Sequence, residues 1–470
     1  MENFSEYLTH PVFKVVSQIV EEEQLEAYVI GGFVRDIFLN RTRKDIDIVV
    51  VGSGLELAQK AGARLKVKKV SLFKNFGTAS FRYKDIDVEF VGARKESYQR
   101  DSRKPIVEDG TLKDDQDRRD FTINAMGISL QKHNFGALID PFNGREDIEN
   151  EIIRTPLDPD ITFSDDPLRM MRAVRFASQL NFKIESKCLE SILNNSERLN
   201  IISHERIMDE FNKIVLSQTP SRGIKLLNST KLLHQFFPEM IALHGVETIN
   251  GKGHKDNFYH TLEVLDNVAE NSDDLWLRWA AIMHDIAKPP TKRFDDKVGW
   301  TFHGHEDLGA KMVPKIFTRL KLPLDAKMKY VQKLVRLHLR PIALVKGNIS
   351  DSAVRRLLFE AGDDVDDLMT LCNADITSKN EFKVKKYRQN FDLVKEKLRI
   401  VEEKDRIRNF QPPIGGEIII KTFNLGPCQE IGDIKTKIKD AILEGEIPNE
   451  YDAAYAYMLK VAEGMGLKAV

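Results

Sequence analysis

Every strong strand-like run in this chain lies before about residue 150, and nearly every later segment repeats its apolar residues with helical period. That change of period limits the fold to a small mixed α/β head on a long helical body. In the head, "AYVI" (27–30) reads as a short strand broken at Gly31-Gly32, and "FVRDIFLN" as the helix after it. "IDIVVV" (46–51) is a second strand, ended by "GSG", and "LELAQKAGARL" is helical. "TASFRYKDIDVEFVGAR" reads as a hairpin turning near Lys84-Asp85, and residues 10–24 as an amphipathic helix with Phe13, Val16 and Val20 on one face. Arg94 to Asp117 is polar with little periodicity, which predicts a mobile loop. "DFTINAMGISL" and "GALIDPFNG" complete the mixed sheet. At 470 residues the chain exceeds one ordinary core. The expected division is a head over 1–155, a helical neck over 156–225, a second helical domain over 226–390 and a helical tail over 391–470.

With 42% hydrophobic and 30% charged residues and a net charge of −1, nothing announces a global basic field. A nucleic-acid surface therefore has to be a local patch. The three cysteines, Cys188, Cys372 and Cys428, lie far apart without zinc spacing, which points to a reducing, cytoplasmic setting. The N-terminal stretch lacks the basic-then-apolar order of a secretory signal, and no apolar run approaches the roughly 18 residues of a membrane span.

The second strand opens on Asp45-x-Asp47. Side chains two apart on a strand share a face, so these carboxylates repel unless a cation sits between them. Hard oxygen ligands favour Mg2+, which combines one or two carboxylates with substrate phosphates. Upstream, Gly31 and Gly32 permit close backbone approach, and the following helix turns its N-terminal amides toward a phosphate. Arg35 stands one turn into that helix as a phosphate-binding cation, and Asp36 beside it completes the nucleotide-binding set. The assembled reading is a triphosphate cradle facing a metal-carboxylate site, the equipment for in-line nucleotidyl transfer. Asp87 and Glu89 offer a third carboxylate; Glu89 is expected, because it lies deeper in the apolar run "VEFV".

In "RRDFTIN", Arg118 and Arg119 supply cationic donors, Asp120 supplies acceptors for a ribose hydroxyl, and Asn124 lies one helical turn on. In "DDPLRMMRAVRF", Asp166 and Arg169 are three apart, hence neighbours on one helix face if Pro167 sits in the first turn. A carboxylate accepts from an exocyclic amine while a guanidinium donates to a ring nitrogen. One such pair suits cytosine and adenine and mismatches uracil and guanine. Arg172 follows one turn later, and Arg175 faces RNA or pairs with an acid.

Together, "GGFVRDIFLNRTRKDIDIVV", "RRDFTINAM" and "SDDPLRMMRAVRF" resemble the class II tRNA nucleotidyltransferases and bacterial poly(A) polymerases of the DNA polymerase β superfamily, over about residues 25–180. The resemblance implies a polymerase β-like head, Mg2+ on Asp45 and Asp47, a ribose-reading role for Asp120 and Asn124, and a base-reading role for Asp166 and Arg169. It also implies tRNA, CTP and ATP as partners and CCA addition as the activity. The family's usual first Glu of the base-reading motif is Asp165 here. Poly(A) polymerases of the family carry a basic segment after the Asp-x-Asp strand, which "VGSGLELAQK" lacks, and partial CC-adding members shorten the polar stretch that is full length here. Poly(A) addition and partial CC or A addition remain alternatives.

Downstream, His260, His284-Asp285, His303, His305, His338 and Asp375 occupy mostly helix-like settings. Neutral imidazoles with carboxylates suit a divalent metal and phosphoester hydrolysis. The order resembles the HD superfamily, which implies His260, His284, Asp285 and Asp375 as ligands of Mg, Mn, Ni or another metal. His305 and His338 are added candidates, and Lys288 follows the His-Asp pair. Two readings from other classes stand beside nucleotidyl transfer: an HD phosphohydrolase with an RNA-binding head, and a non-catalytic RNA-binding protein. The basic run Lys383, Lys385, Lys386 and Arg388, ahead of the tail, is expected to meet tRNA phosphates.

Overall fold

The computed structural model describes residues 3–42, 45–74, 77–99, 102–346, 350–377, 381–405, 407–408 and 410–470. The chain forms two compact units, Met1–Pro238 and Glu239–Val470.

The first unit is built on a seven-stranded sheet. Its strands are β1 (Glu26–Ile30), β2 (Asp45–Val51), β3 (Ser71–Phe73), β4 (Thr78–Tyr83), β5 (Ile86–Gly92), β8 (Gly127–Ser129) and β9 (Leu138–Ile139), in the order β3-β4-β5-β2-β1-β8-β9. Only β2 and β5 run parallel; every other pair is antiparallel. The helices α1 (Pro11–Glu22), α2 (Gly32–Phe38) and α3 (Gly54–Arg64) belong to the same layer system. α1 buries Phe13, Val16, Ile19 and Val20, the face its period predicts. The Lys84-Asp85 turn closes β4 onto β5, with Lys84 in the left-handed region at φ 53°.

Arg94 to Asp117 is not the irregular loop that its composition predicts. It forms a two-stranded antiparallel hairpin, β6 (Arg94–Gln99) and β7 (Ser102–Asp109), and a helix, α4 (Leu112–Asp117), opened by a Thr111–Asp114 capping box. The hairpin is a sheet of its own, so backbone pairing defines it and no apolar stripe advertises it.

Four helices carry the chain from the sheet into the helical part of this unit: α5 (Gly144–Glu149), α6 (Pro159–Asp165), α7 (Leu168–Leu180) and α8 (Ser186–Asn195). α9 (His204–Val215) then packs against α7, to which Glu210 is tied through Arg175, and Phe211 and Ile214 of α9 are fully buried. Among its described residues the second unit is helical apart from two short hairpins, Thr248–Ile249 with Lys252–Gly253 and Arg293–Asp295 with Gly299–Thr301. No helix among the described residues is long and apolar enough to cross a membrane.

Candidate functional site

The parallel pairing of β2 with β5 sets Asp45 opposite Asp87 and Asp47 opposite Glu89. The residues between them, Ile46 with Val88 and Ile48 with Phe90, are buried, so the four carboxylates share the other face of the sheet. Asp47 is half-buried, whereas Asp45, Asp87 and Glu89 are exposed. Burial raises the Asp47 carboxyl above its usual range; Arg119 opposes that and Asp45 adds to it. Burial and then Asp47 push Glu89 up as well, against Arg94. Glu89 is therefore not deep in the core, as the length of "VEFV" suggests. Its parity puts it on the open face beside Asp47, and that register supports its choice as third carboxylate. Carboxylates aligned on one face suit a hard divalent cation that also takes substrate phosphates, which Asp45, Asp47 and Glu89 would hold.

Gly31 caps α2 at φ 77°, a conformation that L side chains rarely adopt. A Cβ there would lie 3.3 Å from Arg119 Nη1 and 3.5 Å from Asp47 Oδ2. The missing side chain leaves the guanidinium and the carboxylate facing each other. Arg119 is held from behind by Asp115, which is fully buried and accepts from Arg119 Nε at 3.1 Å and Arg118 Nε at 3.0 Å. Those two arginines keep the Asp115 carboxyl below its usual range although burial works the other way.

A second chain of contacts runs from α2 to α7. Arg35 Nη1 donates to Asn124 Oδ1 at 2.9 Å, Asn124 Nδ2 to Asp120 Oδ1 at 3.1 Å, and Arg172 Nε to Asp120 Oδ2 at 2.7 Å. Arg35 also pairs with Asp36 at 2.8 Å. Burial would raise the Asp120 carboxyl, yet Arg172 and Asn124 outweigh it and bring the group to about 2.

Asp166 and Arg169 are not paired on one helix face. Pro167 stands just before α7, so Asp166 falls at the joint with α6, where its Oδ1 accepts from Leu168 N at 3.1 Å. Its Oδ2 faces Arg206 of α9 at 3.6 Å. Arg169 is buried and donates to the carbonyls of Thr162 and Arg118. Arg175 pairs with the buried Glu210 at 2.6 Å.

In the second unit five helix ends supply the histidine and aspartate cluster. His284, His338 and Asp375 cap the C-termini of Leu275–Met283, Ala326–Leu337 and Val365–Ala374, whose negative dipole ends favour a cation. His260 comes from Asn257–Ala269, and His305 begins His305–Leu320. Nδ1 of His284, His305 and His338 each donates at 2.7 Å to the carbonyl three residues earlier, which turns Nε2 toward the cluster and leaves it bare whenever the ring is neutral. Asp285 Oδ2 lies 3.2 Å from His284 and 3.5 Å from His260, while Oδ1 lies 3.3 Å from His305. Two groups, His260-His284-Asp285 and Asp285-His305-His338, each gather three ligand atoms close enough for one ion. His284 Nε2 and Asp285 Oδ2 stand 3.2 Å apart, both buried and neither in a well-aligned hydrogen bond, so these residues fit divalent metal. Asp375 lies 2.9 Å from His260, and Lys288 pairs with Asp285 at 2.6 Å. Burial holds His338 down at about 4, so it stays neutral. Burial opposes charge on His284 as well, but Asp285 and Asp375 prevail and bring it to about 8. His303 is exposed and takes no part in either group.

Three family models match successive parts of the chain. Residues 27–154 match the poly A polymerase head domain, 181–243 the probable RNA and SrmB-binding site of polymerase A, and 257–366 the HD domain. An A-adding tRNA nucleotidyltransferase of Deinococcus radiodurans is 30% identical over 75% of this chain and 80% of its own length. The chain belongs to the tRNA nucleotidyltransferase and poly(A) polymerase family. A second A-adding tRNA nucleotidyltransferase, of Aquifex aeolicus, is 41% identical, but the match spans 43% of this chain and only 24% of that protein. A multifunctional CCA protein of Haemophilus influenzae is 31% identical over 81% of this chain and 91% of its own. In three dimensions the chain resembles a tRNA nucleotidyltransferase crystallised with a primer tRNA and an incoming ATP analog. That likeness has a TM-score of 0.59 at 26% identity, over 83% of this chain and 99% of that one.

In this family member, Gly31, Arg119, Asp45, Asp47 and Glu89 are brought together on one side of the sheet. Arg35, Asp36, Asp120, Asn124 and Arg172 form the adjoining network. Gly32 opens α2, with Arg35 Nη2 3.6 Å from where its Cβ would be. Sequence reasoning missed Asp115, Arg206 and Glu210. The i,i+3 and i,i+4 spacing of Asp115 to Arg118 and Arg119 is the signal that could have found the first. Lys385 is exposed, whereas the side chains of Lys383, Lys386 and Arg388 lie outside the described residues.

Proposed function

We propose that this enzyme adds CMP, CMP and then AMP to a tRNA 3′ end from CTP and ATP, releasing pyrophosphate. The observation that carries the reading is the register that aligns Asp45, Asp47 and Glu89 on one open face beside the Gly31 turn. The acceptor's 3′ hydroxyl gives up its proton to solvent, and its oxygen forms the new bond to the α-phosphorus as the bond to pyrophosphate breaks. Arg119, next to Asp47, balances triphosphate charge, and Asp120 and Asn124 set the ribose pocket. Asp166 and Arg169 read the base edge. Mg2+ held by Asp45, Asp47 and Glu89 would supply Lewis-acid stabilisation of the charge that develops during transfer. In the second unit, the two histidine groups around Asp285 would hold divalent metal for hydrolysis of a phosphoester. The setting is cytoplasmic.

Terminal A addition alone is the second reading, favoured by the names of the Deinococcus and Aquifex relatives. The test offers tRNA ending before CCA, or ending in CC, with labelled CTP and ATP separately and together. Incorporation of C, C and A supports full addition. Growth of the CC-ending tRNA alone establishes A addition, and ATP tailing of arbitrary RNA overturns both. An Asp45→Ala/Asp47→Ala double variant loses nucleotide transfer while metal binding in the second unit persists.

A further inference from the structure

Phe176, on α7, is buried, and three guanidinium groups gather on its ring. Arg175 lies 4.1 Å from the centroid, Arg35 5.2 Å and Arg172 5.5 Å. Phe121, next to Asp120, meets the same ring edge-on at 5.7 Å between centroids. The three arginines come from different parts of the proposed site. Arg35 belongs to the helix after the glycine pair and reaches Asn124, Arg172 holds Asp120, and Arg175 is tied to Glu210 of α9. Like charges this close repel: Arg172 and Arg35 both work against the charge on Arg175, although Asp120 and Glu210 support Arg172 and Arg175 alike and Asp36 pairs with Arg35. An aromatic face attracts a cation through its quadrupole, so a single ring draws all three to one place.

We propose that Phe176 is a positioning residue for nucleotide selection, its π-system holding Arg35, Arg172 and Arg175 in one constellation that fixes the Asp120–Asn124 pair. The inference rests on the nucleotidyl-transfer reading of this site. It assigns the ring no contact with substrate; it acts through the arginines.

The test separates π-electron density from packing. In the full-length enzyme, Phe176 is replaced by mono-, di- and trifluorinated phenylalanine, which keep the shape while draining the ring face. Phe176→Leu and Phe176→Tyr are made beside them. The expected result is a graded rise in KM for CTP and ATP across the fluorinated series, reaching about tenfold, with kcat and Tm nearly constant. Tyr restores wild-type KM and Leu does not, and the preference for ribonucleotides over deoxyribonucleotides falls with the rise in KM. If KM and selectivity stay flat across the fluorinated series while wild-type enzyme transfers C and A normally, the proposal is overturned and the transfer reading stands. A wild-type enzyme that transfers no nucleotide removes both.

Discussion

His305 Nε2 and His338 Nε2 stand 3.3 Å apart, and neither can donate to the other, because each ring has committed its Nδ1 hydrogen to a backbone carbonyl. Two bare lone pairs at that distance, with Asp285 Oδ1 3.3 Å from His305, call for a shared cation. Chelation followed by dialysis should therefore lower Tm, and adding back Mn2+ or Ni2+ should raise it by a concentration-dependent amount. His338→Ala should reduce bound metal per chain, read by elemental analysis without reference to turnover. Metal entry at His284, which carries a proton up to about pH 8, should also release protons into weakly buffered solution.

Asp120 yields a pH prediction. Its carboxyl sits at about 2 in the folded chain, against an ordinary value near 3.9, so its folded pKa is depressed. Such a group contributes stability that is fully present above about pH 4 and is lost as pH falls toward 2, on the order of 2 kcal/mol in all. Urea unfolding of wild type and Asp120→Asn should differ most near neutrality, and the gap should narrow between pH 4 and pH 2. A constant gap would place the effect in packing.

Gly31→Ala tests the closest approach in the head. The new methyl group enters a left-handed backbone position, with Arg119 Nη1 3.3 Å and Asp47 Oδ2 3.5 Å away. Strain of about 1 to 3 kcal/mol is expected in Tm or denaturant midpoint. Nucleotide transfer should fall by more than the loss of folded protein explains, because the methyl separates Arg119 from Asp47.

Asp166→Ala should relax base choice. With the acceptor for an exocyclic amine removed, discrimination of C and A against U and G should drop by about 100-fold in ratios of kcat/KM. Arg206→Ala leaves Asp166 in place and removes only its 3.6 Å partner, so selectivity should change far less. Competition between labelled nucleotides on one tRNA reads both.

The mixed sheet, the glycine turn and Asp45-x-Asp47 were legible because glycine and period-two alternation are local signals. Parity was also enough to place Glu89 on the open face; run length misleads there, since Val88 and Phe90 alone point inward. The hairpin from Arg94 to Asp109 escaped notice because its strands pair with each other away from the main sheet. Asp166 and Arg169 looked like helix neighbours, but the helix starts only after Pro167, and α9 supplies the partner that no spacing reveals. His303 and His305 differ by two positions in one polar stretch; the helix that begins at His305 turns that side chain inward and leaves His303 in solvent.

The pairing of β2 with β5 carries an implication for robustness. Sliding one strand past the other by a single residue would turn Val88 and Phe90 to water as it turned Asp87 and Glu89 inward. The apolar side of the ladder thus proofreads its acidic side. Any chain that buries those residues correctly has already set its carboxylates, so assembling the acidic face needs no step of its own in folding.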